Sequence, residues 1–143
     1  MEEKAIFALG CFWEPDDYFS RLKGVVKTRV GYTGGTTPNP TYQRLGDHTE
    51  SVEITFNPAE ISYKELLEHF WKQHDPIIQH KRQYMSAIFT NGKEQMEQAK
   101  KSLEEQQKKT KRLKVTQIIP VSTFYEAEEY HQKYFQKTGI RTC

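Results

Sequence analysis

The chain has 143 residues, a formal net charge of +2 and 28% charged residues, the size and balance of one domain with one sizeable core. That charge is too mild to form the concentrated basic surface that nucleic acid or an anionic membrane calls for. The opening stretch MEEKAIFALG carries acids and no long apolar run, so it reads neither as a secretion signal nor as a membrane span.

In chain order, residues 4–9 (KAIFAL) are a short apolar run ending at Gly10, which predicts a buried strand. A helix is expected next, through Trp13, Asp16, Asp17, Phe19 and Leu22, with Pro15 and the acids suited to its first turn. Residues 25–32 predict a strand, and residues 33–48, rich in Gly, Pro, Asn and Thr, a loop. Val52, Ile54 and Phe56 alternate with Ser51, Glu53 and Thr55, the pattern of a half-buried strand. Ser62 and Glu65 form a capping-box signature ahead of Tyr63, Leu66, Leu67, Phe70, Trp71 and His74 at helical spacing. After a loop, residues 84–89 predict a strand and Asn91-Gly92 a turn. Residues 93–110 predict a charged helix with a narrow apolar stripe. A strand over 115–121, a helix over 124–137 and an exposed tail from residue 138 complete the chain. This order predicts an α+β fold, a ferredoxin-like two-layer sandwich with a central mixed sheet and helices packed against it.

The two cysteines, Cys11 and Cys143, stand at opposite ends of the chain and make no disulfide framework. In a reducing compartment such thiols are either unrelated or a transient catalytic pair, and a soluble cytoplasmic protein is the expectation. His69 and His74 are five apart on a predicted helix, off any common face, and no second cysteine lies near Cys11, so no metal site is expected. Cys11 falls at a strand-to-helix junction, where free backbone N–H groups and the helix dipole favour a thiolate. The plainer alternative is a small buried hydrophobe. Phe12 and Trp13 beside it form either core packing or a small apolar cage suited to a methyl or thioether group.

GCFW at positions 10–13 resembles the signature of the A-type peptide methionine sulfoxide reductases. The similarity continues, in order, through GYTGG, NPTY, HTESVEITFNP, FWKQHDP, QYMSAIF and FYEAEEYHQKY. The resemblance implies that Cys11 is the nucleophile that attacks the sulfoxide sulfur. It makes Phe12 and Trp13 the walls around the substrate methyl, Glu50 the acid that protonates the sulfoxide oxygen, and Tyr42 and Tyr84 the phenols that bind that oxygen. A sulfoxide sulfur becomes attackable only as its oxygen is protonated or hydrogen-bonded, so an acid opposite a thiolate fits the chemistry. The implied activity is reduction of methionine S-sulfoxide, free or in peptides and proteins, in repair after oxidative stress.

Cys11 would become a sulfenic acid and condense with Cys143, the candidate resolving cysteine, in a mobile tail over 138–143 of a single catalytic domain over 1–143. The Cys11–Cys143 disulfide would be recycled by an external dithiol, thioredoxin or dithiothreitol, without metal or organic cofactor, by a monomer.

The chain departs from the family pattern at four places. Glu14 and Asp16 replace a glycine and a glutamate after GCFW, leaving Asp16 and His48 as candidates for supporting roles. The loop between Tyr42 and His48 lacks a common insertion. The family's Gly-Asn-Asp segment before the QY motif is replaced by IIQHKRQY, with Gln79 or His80 nearest to the missing aspartate. The chain's last residue is Cys143, which leaves a one-step relay. Two rival readings remain: a cysteine hydrolase using His48 or His131 as base, and a redox-responsive domain that binds oxidised methionine with little turnover.

Overall fold

Residues 5–9 are all buried, because the strand they form, β1 (Glu3–Leu9), lies inside the sheet with both faces covered. The computed structural model describes residues 1–109 and 114–139. The other elements are α1 (Trp13–Ser20), β2 (Val25–Thr33), β3 (Thr49–Phe56), α2 (Tyr63–Lys72), β4 (Ser86–Thr90), α3 (Gly92–Lys109), β5 (Gln117–Pro120), β6 (Tyr125–Glu126) and α4 (Tyr134–Thr138). Two 3₁₀ turns, Arg82–Tyr84 and Glu129–His131, precede β4 and α4.

The six strands lie in the order β5-β4-β1-β3-β2-β6. β4 and β5 are parallel and every other pairing is antiparallel. The inner order β4-β1-β3-β2, with α1 and α2 as crossovers, is the ferredoxin-like βαββαβ arrangement within a mixed sheet. Ala5, Phe7, Val30, Val52, Ile54, Phe56 and Ile88 join Phe19, Leu66, Leu67 and Phe70 of the helices in one core. Ile6, Ala8, Met85, Ala87 and Phe89 form a second cluster, packed by Ile119 and Phe124. The period-2 alternation of β1 divides its residues between the two clusters. The capping box holds as the sequence suggests: the Ser62 hydroxyl accepts from the Glu65 N–H at 3.0 Å, and the Glu65 carboxylate accepts from the Ser62 N–H at 3.2 Å.

Three local expectations change. β3 is buried along its whole length rather than on one face, because it lies between β1 and β2 and its Glu53 is covered by Arg29 at 2.7 Å and Lys4 at 3.8 Å. Tyr84 belongs to the 3₁₀ turn, and β4 begins at Ser86.

The helix expected over 124–137 is mostly absent. β6, a 3₁₀ turn and the five-residue α4 take its place. Here tertiary hydrogen bonds override helix propensity. The Gln132 side-chain amide accepts from the Val30 N–H and donates to the Val30 carbonyl, both at 2.9 Å, standing in for a strand residue at the edge of β2. Glu128 accepts from the Tyr32 hydroxyl at 2.8 Å. Gly31 admits this segment, since a Cβ there would collide with the Tyr125 carbonyl and the Phe124 ring.

Candidate active site

β1 leads into α1 through Gly10, whose φ of +95° lies in the left-handed region that favours glycine. This turn places Cys11 just before Phe12, the N-cap of α1. The strand registers do the rest. Leu9 pairs with Ser86 and Phe7 with Val52, so the chain before β4 and the start of β3 flank the end of β1. Tyr84 and Glu50 are thereby brought beside Cys11. A cleft of about 420 Å³ opens there, lined by Cys11, Phe12, Trp13, Tyr42, Glu50, Tyr84 and His80. A larger groove of about 530 Å³ between α2 and α3 is lined by Lys64, Glu68, Trp71, Lys101 and Glu105 among others. It holds no thiol, so chemistry selects the smaller cleft.

Glu50 is 1% exposed. One carboxylate oxygen accepts from the Phe12 backbone N–H at 3.2 Å and the other from the Gln83 side-chain amide at 2.5 Å. Burial raises its pKa, opposed by the Gln83 and Phe12 N–H donors and by the charge of Lys81. Burial is the larger effect, and the result is a carboxyl that keeps its proton to higher pH than an exposed glutamate. The Tyr84 phenol is likewise held protonated, through burial first and then the neighbouring Tyr42 and Glu50. Glu50 and Tyr84 thus line the same cleft as Cys11, each shifted toward its protonated form.

Its aromatic walls are fixed from behind. The Trp13 ring stacks on Tyr134 at 3.7 Å and 7°, and its indole N–H donates to Nδ1 of His131 at 3.0 Å. His131, 2% exposed, also packs on Phe12 at 5.1 Å and on Tyr42 at 4.9 Å. Burial lowers its pKa, and a neutral ring whose Nδ1 accepts the indole proton carries its own proton on Nε2.

Asp16 and His48 do not line the cleft. Asp16, fully buried, accepts from Thr28 Oγ1 and from Lys133 Nζ at 3.0 Å and its backbone N–H at 2.8 Å. It thus anchors Lys133, whose φ is +55°, in the segment that carries His131 and Tyr134. His48 donates from Nε2 to the Thr37 carbonyl at 2.6 Å and accepts at Nδ1 from the Gly35 N–H at 3.2 Å. It holds the loop that carries Tyr42, and neither ring nitrogen is left to serve as a base. His80 reaches the cleft wall, whereas the Gln79 amide turns to the His80 carbonyl at 3.5 Å. Cys143 lies outside the described residues.

Sequence reasoning misses Gln83 altogether and offers His131 only as the base of a rival hydrolase. The first adjoins Tyr84 in the QY motif, and the second stands three residues before Tyr134 in HQKY. Among the described residues no group of three or more His, Cys, Asp or Glu is placed to hold a metal ion.

The family model described as peptide methionine sulfoxide reductase matches residues 3–143. The chain belongs to the peptide methionine sulfoxide reductases. It is 46% identical to the peptide methionine sulfoxide reductase MsrA of Methanosarcina acetivorans, over 96% of this chain and 80% of that one. Its fold matches the methionine sulfoxide reductase A of Corynebacterium diphtheriae with a TM-score of 0.91 and 33% identity, over 99% of this chain and 77% of that one. It also matches Mxr1 of Saccharomyces cerevisiae in complex with Trx2, with a TM-score of 0.71 and 28% identity, covering 93% and 84% of the two chains. Among the described residues of this family member, no helix is long and apolar enough to cross a membrane.

Proposed function

We propose that this chain reduces methionine S-sulfoxide, free or in peptides and proteins, to methionine, with the residues of the Cys11 cleft in the following roles. The sulfoxide methyl lies between Phe12 and Trp13. Tyr42 and Tyr84 donate hydrogen bonds to the oxygen, and Glu50 supplies a proton to it. The substrate sulfur, made electrophilic in this way, is attacked by the Cys11 thiolate. The oxygen passes to Cys11, so the substrate leaves as a thioether, reduced by two electrons, and Cys11 is oxidised to a sulfenic acid.

The Cys143 thiol then attacks the sulfenic sulfur, water departs, and a Cys11–Cys143 disulfide forms. A dithiol protein of the thioredoxin class reduces it by exchange, and the fold match to Mxr1 in complex with Trx2 supports that partner. The stacking of Tyr134 on Trp13 puts α4 beside the cleft. From Gly139 to Cys143 is four residues, a reach of at most about 14 Å. In this reading the chain is one catalytic domain, a cytoplasmic monomer without metal or organic cofactor.

One observation carries the assignment: a carboxyl that is 1% exposed, with its pKa raised by burial, opens onto the same cleft as Cys11. A hydrolase would use an imidazole there, and His48 is engaged with Gly35 and Thr37 while His131 accepts from Trp13. Separated S and R epimers of acetyl-methionine sulfoxide amide, incubated with dithiothreitol and followed by chromatography, test the proposal. Turnover of the S epimer, lost in Cys11→Ser, is expected. Equal turnover by Cys11→Ser, or ester hydrolysis in its place, would refute it.

A further inference from the structure

The chain between α2 and β4 brings positive charge to the mouth of the cleft. His80 forms part of its wall. The next residue, Lys81, sets its ammonium 5.3 Å from the centre of the Tyr84 ring and acts electrostatically on Glu50. Arg82 is already committed, donating to the Asp47 and Gly34 backbone carbonyls at 2.5 and 2.9 Å. Those bonds fix the course of the segment and so the place of its two predecessors. Among the described residues no carboxylate pairs with Lys81 or His80. The nearby acids are otherwise employed: Glu50 is buried at the cleft floor, and Glu128 accepts from the Tyr42 N–H at 3.1 Å and the Tyr32 hydroxyl at 2.8 Å.

An ammonium over an aromatic ring at a cleft mouth, with no counter-ion among the described residues, is suited to a carboxylate on whatever enters. We propose that His80 and Lys81 are specificity determinants, favouring methionine sulfoxide that carries a carboxylate close by, either its own C-terminal group or an acidic side chain at the next position. This rests on the reductase reading and adds the substrate class. A carboxylate on the substrate's flank is bound rather than transformed, so the preference for it belongs to binding and appears in KM more than in kcat.

The test uses two matched pairs of peptides. Acetyl-Ala-MetO-Asp-Ala-amide is compared with its Asn counterpart, and acetyl-Ala-MetO as the free acid with its amide. kcat/KM is measured with dithiothreitol for the wild type, Lys81→Gln and His80→Gln. The acidic member of at least one pair is expected to be favoured about two- to fivefold, as for an ion pair at a solvent-exposed site. That preference should shrink in both variants and fall as salt is raised from about 0.05 to 0.5 M. Whichever pair shows it identifies the source of the carboxylate.

Equal values within both pairs, or a preference that both variants retain, would overturn the proposal. Binding of the same peptides to Cys11→Ser, followed by tryptophan fluorescence, gives the preference without turnover. A preference in binding with no reduction of any peptide would sink the reductase reading and leave this one standing.

Discussion

In the proposed mechanism Cys11 and Glu50 divide the chemistry between a nucleophile and an acid, and the acid is tuned by position. Glu50, the second residue of β3, lies opposite Tyr32, so its side chain points to the helix-covered face, where burial opposes ionisation more than its N–H donors favour it. Turnover that needs the protonated carboxyl falls as pH rises through that raised pKa. Glu50→Gln is expected to lower kcat/KM by about 10²- to 10⁴-fold and to remove this alkaline limb, read from a pH–rate profile. Its stability should change the other way. A carboxyl whose pKa is higher folded than unfolded stabilises the fold below the unfolded value, and loses that contribution as pH climbs through the folded value. The melting temperature of Glu50→Gln relative to the wild type should therefore improve from pH 4 to pH 8. Local sequence does not settle the burial of Glu50, because its hydrogen-bond partners Phe12 and Gln83 lie 38 and 33 residues away.

At the scale of elements, a partly buried polar chain ties the residues just after α2 to the sheet beneath the cleft. His74 donates from Nδ1 to the Phe70 carbonyl at 2.9 Å and accepts at Nε2 from the Ser86 hydroxyl at 2.7 Å. Ser86 in turn meets the Thr116 hydroxyl at 2.7 Å. This geometry needs a neutral ring, and burial pushes the His74 pKa down to about 4. The unfolded chain, with its histidine near 6.5, binds the proton first, so stability should decline as pH drops from about 6.5 to 4 and then level off. The contribution is at most roughly 3 kcal/mol, measured as the shift in urea midpoint between pH 7 and pH 4. His74→Gln should flatten that slope. The helical pattern carries the inner stripe on to His74, whereas α2 ends at Lys72 and the ring folds back to the Phe70 carbonyl. Its hydroxyl partners come from β4 and the approach to β5, which no local period reveals. The same limit explains the segment after Phe124: its composition favours a helix, but Gln132 and Glu128 find better partners on β2.

Across the whole molecule, the proposed relay joins the turn just before the first helix to the last residue of the chain. Cys143→Ser should complete one turnover per enzyme and then stall with thioredoxin, while dithiothreitol restores cycling, as rapid-quench counting of methionine would read. The sequence by itself determined the family, through ordered motifs, and the element order from which the ferredoxin-like core follows, because apolar periodicity, capping residues and turn residues are local. It also placed Cys11 at the mouth of α1, since Gly10 and the strand before it are neighbours in the chain. Only the tertiary structure decided that Gln83 and the Phe12 N–H hold Glu50, that His131 and Tyr134 back the indole of Trp13, and that Asp16 and His48 support the walls from outside the cleft. Those are contacts between residues far apart in the chain, and burial and hydrogen-bond pairing at such distances exist only once the sheet has set its registers.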